Sequence, residues 1–206
     1  PEVRGLGPKG KAVLAWLQTE TRPDGRVLFE TSLGRIHDGG HIVGYLALQS
    51  GREFIGGPYN NLFAGTRDGW MFGRPLESIT PEEFLAYLRQ YNVGWIVVHS
   101  EIAKRYLAGF SSGIEKGREF EGLQTFNVRQ PLSFVEDGRG AMVSAGYGKL
   151  VVERQGTSVE PIVLRYHYLQ GIRALDGSKV EPVFRLDDPT PFIQVTPRGK
   201  TVELVR

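Results

Sequence analysis

The chain has 206 residues, enough for one large domain or two modest ones, and its 40% hydrophobic and 11% aromatic content can bury a core without a partner. Its 25 basic and 23 acidic residues are scattered for a formal charge of +2, so there is no basic stripe that would track phosphates, and nucleic acid is not an expected partner. Cysteine is absent, which excludes disulfides, thiolate metal sites and cysteine nucleophiles and leaves the compartment open.

In chain order, residues 1–10 read as a flexible linker. Their GLGPKG matches the G-x-G-x-x-G dinucleotide pattern in letters, but no strand feeds the loop and Pro8 removes an amide that a phosphate would use. Residues 11–20 then place Val13, Leu14 and Leu17 on one helical face, and after the Pro23-Asp24-Gly25 turn the run RVLFE is strand-like. Residues 41–50 are helix-compatible, and REFIGG reads as a brief strand ending in glycines. Thr80-Pro81-Glu82-Glu83 combines a hydroxyl N-cap, a proline at the first helical position and a glutamate three after the cap, so a helix starts there, with Phe84, Leu85 and Leu88 as its buried face. Residues 93–98 form a continuous apolar run, a strand covered on both sides. Ser100 can cap a further helix with Ile102, Ala103, Tyr106 and Leu107 facing inward.

This alternation predicts an α/β layer with a largely parallel sheet over residues 11–130. From Leu132 onward only short alternating runs appear (KLVVER, PIVLRYHY, PVFRL, PFIQV, TVELV), separated by the turn signals Asp137-Gly138, Asp176-Gly177 and Arg198-Gly199. Residues 131–206 are therefore expected as an all-β, sandwich-like subdomain, making the chain α+β overall, with the boundary at Gln130-Pro131.

The polar signals of the sequence point to binding more than to reaction. His37, Asp38 and His41 carry ligand chemistry for a metal, but the Gly39-Gly40 pair between the histidines works against a rigid helical turn, so no metal site is expected. His99 and His167 stand alone in strand-like surroundings, where a packed or partly exposed histidine is the ordinary state. No G-x-S-x-G nucleophile elbow is present. Glu82-Glu83 is explained by the helix start and Asp187-Asp188 by a turn before Pro189. The segment 35–61 differs: its glycines let backbone approach a ligand closely, and Asp38, His41, Arg52, Tyr59, Asn60 and Asn61 offer hydrogen bonds suited to sugar hydroxyls. Tyr59 and Trp70 can stack on a sugar face.

The phrases "GRVLFETS", "HDGGHIVGYLALQSGREFIGG" and "SITPEEFLAYLRQYNVGWIVVHS" together resemble the extracytoplasmic domain that follows the transmembrane helices of bacterial GT-C-type glycosyltransferases, which use polyprenyl-phosphate-linked sugars. More distantly, Asp38, Gly39, His41 and Ile42 with Gly51-Arg52 are similar in order to an acceptor-gripping segment of the oligosaccharyltransferase catalytic subunit. Ile36 and His37 replace its two tryptophans, so sequon recognition is not carried over. Tyr168, Gly171, Asp176-Gly177 and residues 180–183 resemble the β-rich tail of YfhO-like membrane proteins. The resemblance implies a piece of a longer membrane protein, opening here on Pro1 and lying on the periplasmic or cell-surface face of the membrane. Its partners would be its own transmembrane domain and a glycan or peptide acceptor. It also implies no cofactor in this domain, with any divalent metal and the catalytic acid/base group belonging to the parent enzyme's membrane loops. The alternative is a non-enzymatic carbohydrate- or envelope-binding module.

Overall fold

A computed structural model describes residues 6–31, 42–55, 66–136, 141–146, 148–154 and 160–206. The protein is a mixed α/β chain with several sheets, divided into two compact units. The first comprises Pro1–Arg89 and Val93–Leu132, the second Gln90–Asn92 and Ser133–Arg206. The division thus falls two residues after the expected boundary, and a three-residue segment far upstream joins the second unit. Among the described residues no helix is long and apolar enough to cross a membrane.

In the first unit α1 (Pro8–Glu20) begins within the stretch expected as linker, with Gly7 at its N-cap and proline at its first position, where a missing N–H costs nothing. Val13, Trp16 and Leu17 form its buried stripe. After β1 (Arg26–Phe29) come α2 (Ile42–Ser50), β2 (Glu53–Ile55), and three two-residue strands, β3 (Thr66–Arg67), β4 (Trp70–Met71) and β5 (Arg74–Pro75), which form a small sheet of their own. Helix α3 (Pro81–Gln90) opens with the predicted capping box: the Glu83 carboxylate accepts from the Thr80 N–H at 2.8 Å, and the Glu83 N–H donates to Thr80 Oγ1 at 3.3 Å. Those bonds, together with Arg74, hold the Glu83 carboxyl below its ordinary range. The unit is completed by β6 (Val93–Val98), α4 (Glu101–Ala108), β7 (Ile114–Phe120) and β8 (Leu123–Val128).

The main sheet has the order β2-β1-β6-β8-β7. Strand β1 pairs parallel with β2 and β6, but β8 runs antiparallel to both β6 and β7, so the sheet is mixed where a largely parallel one was expected. The β7–β8 hairpin, absent from the sequence reading, accounts for the difference. Its turn residues Glu121 and Gly122 both have positive φ, 40° and 90°, as a two-residue hairpin turn requires.

Chain direction decides which face each helix covers. The β1–α2–β2 crossover and the β2–α3–β6 crossover run in opposite directions across the sheet, so right-handed connections put α2 and α3 on opposite faces. Accordingly Val27, Phe29, Trp95 and Val97 pack in one cluster with α1 and α2, while the alternate residues Leu28, Ile96 and Val98 are buried on the other side. On α3 and α4, Phe84 meets Tyr106 edge-on at 5.3 Å, and Phe110 joins both rings. Ile102, expected to face inward with them, is 43% exposed.

The second unit contains β9 (Ala141–Gly146), β10 (Lys149–Arg154), β11 (Ile162–His167), β12 (Arg173–Ala174), β13 (Lys179–Val183), β14 (Phe192–Thr196) and β15 (Thr201–Val205). They form two antiparallel sheets, β12-β15-β10-β9 and β11-β14-β13. One core is shared between them: Val152, Val202 and Leu204 from the first, and Ile162, Leu164, Ile193 and Val195 from the second.

Candidate functional site

The connections leaving β1 and β6 diverge toward opposite edges of the sheet, and the carboxyl ends of two such neighbours are where open α/β sheets bind ligands. The residues that follow these two strands are Glu30-Thr31 and His99-Ser100. Glu30 is fully buried, and its carboxylate accepts four hydrogen bonds. Oε1 takes the Gly69 N–H at 2.8 Å and the Ser100 hydroxyl at 2.6 Å. Oε2 takes the N–H groups of His99 at 2.8 Å and Ser100 at 2.9 Å.

Glu30 therefore joins the end of β1, the turn between β3 and β4, and the start of α4. Ser100 Oγ, besides donating to Glu30, accepts from the Ala103 N–H as the N-cap of α4, so both hydroxyl roles are taken by structure. A helix N-terminus at a switch point is the ordinary place for a phosphate, and here the chain's own carboxylate fills it.

This staple displays a hairpin. Thr31 donates its N–H to the Thr66 carbonyl at 3.0 Å and its hydroxyl to the same oxygen, while the Thr66 hydroxyl donates to the Phe29 carbonyl. Between β3 and β4 lie Asp68 and Gly69, with φ of 43° and 83°, the conformation of an Asp-Gly hairpin turn. A Cβ on Gly69 would lie 3.1 Å from the Ile102 side chain of α4, a tight approach, so this partly exposed residue packs against the turn. Arg67 and Trp70 face each other across the turn and are exposed, Trp70 by 50%. His99 is packed behind them, with Nε2 3.3 Å from the Thr31 carbonyl oxygen and 3.6 Å from Asp68 Oδ1. The His–Asp spacing exceeds hydrogen-bond length, so the pair is not a formed acid/base couple. The tip offers an aromatic face, a guanidinium and a carboxylate: it can stack and hydrogen-bond.

Of the residues the sequence nominated, His37, Asp38, His41, Tyr59, Asn60 and Asn61 lie outside the described residues. Trp70 stands at the tip. Arg52 does not join it: it precedes β2, and with Arg26 paired to Glu53 in a parallel ladder it lies at the amino edge of the sheet, whereas Glu30 and His99 lie at the carboxyl edge. Its guanidinium donates to Thr21 Oγ1 and the Thr21 carbonyl, both at 2.9 Å, and to the Ser50 carbonyl at 3.2 Å. It ties the ends of α1 and α2 together. Among the described residues no three His, Asp or Glu side chains converge as a metal ligand set. Glu30, Arg67, Asp68 and His99 were not nominated; the Asp68-Gly69 turn was the signal that could have found them.

A second polar cluster lies within the second unit. Asp188, 4% exposed, accepts from Tyr91 Oη, from His167 Nε2 at 2.8 Å and from the Thr190 N–H at 2.8 Å. Burial pushes its carboxyl up, but these hydrogen bonds outweigh burial and hold it below the ordinary range. His167 also packs against Phe192, with ring centroids 4.8 Å apart.

Comparison with known protein families, curated proteins and solved structures finds no match to this chain.

Proposed function

We propose that this chain is the extracytoplasmic domain of a membrane glycosyltransferase that uses a polyprenyl-phosphate-linked sugar. In this reading it lies beside its own transmembrane domain on the periplasmic or cell-surface face and shapes the acceptor side, while the transfer chemistry belongs to the membrane part. The second unit, with two sheets on one core, serves as a sandwich-like layer of the same domain. The observation that carries the reading is the hairpin tip at the carboxyl edge of the sheet, where Trp70 and Arg67 flank the Asp68-Gly69 turn on a buried carboxylate staple. An exposed aromatic beside fixed polar groups suits a sugar, whose apolar ring face stacks while its hydroxyls hydrogen-bond.

Two experiments test it. Sequence immediately upstream of Pro1 should encode several apolar spans of roughly 20 residues. A start codon or cleavable signal there would remove the membrane-enzyme reading and leave a carbohydrate-binding module. Sugar binding is followed by tryptophan fluorescence: Trp16 and Trp95 are 4% and 7% exposed, so the ligand-responsive signal should come from Trp70. Acceptor-type oligosaccharides should quench it; absence of any response at millimolar sugar would remove the site.

A further inference from the structure

Among the described residues, the sheets of this chain end on strands that discourage a further neighbour, with one exception. In the five-stranded sheet the edge strand β2 has only three residues. The other edge, β7, carries Glu115, Lys116, Arg118 and Glu119, and its register slips: Lys116 pairs with Phe126 and Glu119 with Gln124, three steps on β7 against two on β8. Shortness, charge and a β-bulge are ordinary means by which an edge avoids pairing with another chain. The strands of the small sheet have two residues each. In the second unit β12 also has two residues, β13 carries Lys179 and Pro182, and β11 is covered by its own upstream segment. There Val135 bridges to Leu164, and the N–H groups of Glu136 and Arg165 donate to the Val163 and Phe134 carbonyls at 2.9 and 2.8 Å.

The exception is β9. Its sequence, AMVSAG, runs six residues without charge or proline. All of them pair with β10 in unbroken register, from Ala141 with Arg154 to Gly146 with Lys149, so no bulge twists the strand away. It ends its sheet, and among the described residues no strand pairs with its outer side. Ser144, Ala145 and Gly146 are exposed. The outward N–H and C=O groups of such a strand form a template for strand addition, and these three small residues leave the approach open.

The composition of the strand selects its occupant. When a strand pairs antiparallel with its own copy about a twofold axis, the central residue faces itself and its neighbours face near neighbours, so a charged side chain there meets its own charge. Of the described edge strands longer than three residues, β9 alone carries no charge. Val143 supplies the apolar contact: it pairs with the fully buried Val152 and packs on the core of the second unit while itself only half-buried. That core is open at β9, and a second Val143 from across the axis would extend it. We propose that β9 pairs antiparallel with β9 of a second copy of this chain, joining two four-stranded sheets into one continuous sheet. The proposal rests neither on the hairpin tip nor on the membrane-enzyme reading. One strand pair buries less than the ~1,200 Å² of a standard interface, so the dimer is weak, with a dissociation constant on the order of 100 µM.

Sedimentation equilibrium of the whole chain from about 10 µM to about 1 mM tests the proposal. The protein should pass from monomer to dimer over that range, and the β9 amides should exchange more slowly at its upper end. Ser144→Lys places a charge on the exposed strand next to its copy, and should raise the dissociation constant about tenfold at unchanged melting temperature. Lys116→Ala, on the edge strand of the other unit, should leave the dissociation constant unchanged. A chain that stays monomeric at the upper concentration overturns the proposal and leaves the edge to a strand of another protein. A dimer untouched by Ser144→Lys, or one whose β9 amides exchange as fast as in the monomer, overturns β9 as its interface.

Discussion

Among the described residues two carboxylates are buried, Glu30 in the first unit and Asp188 in the second, and they are kept in opposite ways. Glu30 is surrounded mostly by main chain: three of its four hydrogen bonds come from backbone amides, drawn from residues 39, 69 and 70 positions away in sequence. Asp188 is held mostly by side chains, Tyr91 and His167, with one backbone amide from Thr190 two residues on. Main-chain donors cannot rotate away or change protonation state, so a carboxylate they enclose fixes topology. Side-chain donors can do both, so the cluster they form responds to conditions. The first arrangement suits the edge that displays a hairpin; the second suits a local pin.

Removing each carboxylate should expose the difference most directly. Glu30→Ala takes the acceptor from three backbone N–H groups, the Gly69 one buried and those of His99 and Ser100 part-buried, and from the Ser100 hydroxyl, and should destabilise the first unit by about 4 kcal/mol. All three tryptophans belong to that unit, so tryptophan-detected denaturation reads the effect directly. Asp188→Ala leaves Tyr91 and His167 side chains that can turn toward other acceptors or water, and should cost about 3 kcal/mol in the second unit, read by hydrogen exchange of β14 amides. A destabilisation by Asp188→Ala as large as that by Glu30→Ala would erase the distinction.

Acid should act on the Asp188 cluster through its carboxylate. The folded-state pKa of Asp188 is depressed from its ordinary 3.8. Its contribution to stability is therefore complete above that unfolded value and is lost as pH falls through the lower folded value. Between pH 7 and pH 3 the second unit should lose more stability in the parent protein than in Asp188→Asn, by hydrogen exchange or chemical denaturation. Equal losses would show that this carboxylate is not the acid-sensitive group.

Where a structural cause was local, the sequence announced it. The capping box at Thr80–Glu83 needs four consecutive residues, and the 93–98 strand needs one apolar run; both are in place. Where the cause was distant, it left no mark. Glu30 reads as the polar end of a strand because its donors lie far along the chain. Asp188 reads as a turn residue, which it is through Thr190, while its bond to Tyr91 spans 97 positions. The strand Ile114–Phe120 went unread because its bulge breaks the two-residue period and leaves charged residues along it. Arg52 looked available for a ligand because nothing local shows that Thr21, 31 positions earlier, already occupies it. Arg52→Ala should accordingly cost about 1–2 kcal/mol of stability in the tryptophan-detected transition. A fully stable Arg52→Ala variant would return the residue to the list of ligand contacts.

The smallest effect on stability, and the most informative about function, is expected at the hairpin tip. Trp70 is half exposed and follows a turn whose geometry comes from Asp68, Gly69 and the Glu30 carboxylate, none of which needs the indole. Trp70→Ala should therefore change stability by no more than about 0.5 kcal/mol while removing the sugar-dependent response. Because that substitution also deletes the fluorescent reporter, binding must be read by calorimetry. Glu30→Gln supplies the contrast: an amide keeps the shape but cannot accept on both atoms, so the Gly69 N–H or the start of α4 loses its partner and the tip loosens. That variant should lose both stability and sugar affinity, whereas Trp70→Ala should lose affinity alone. If the two behaved alike, the tip would be part of the staple and not a surface it displays.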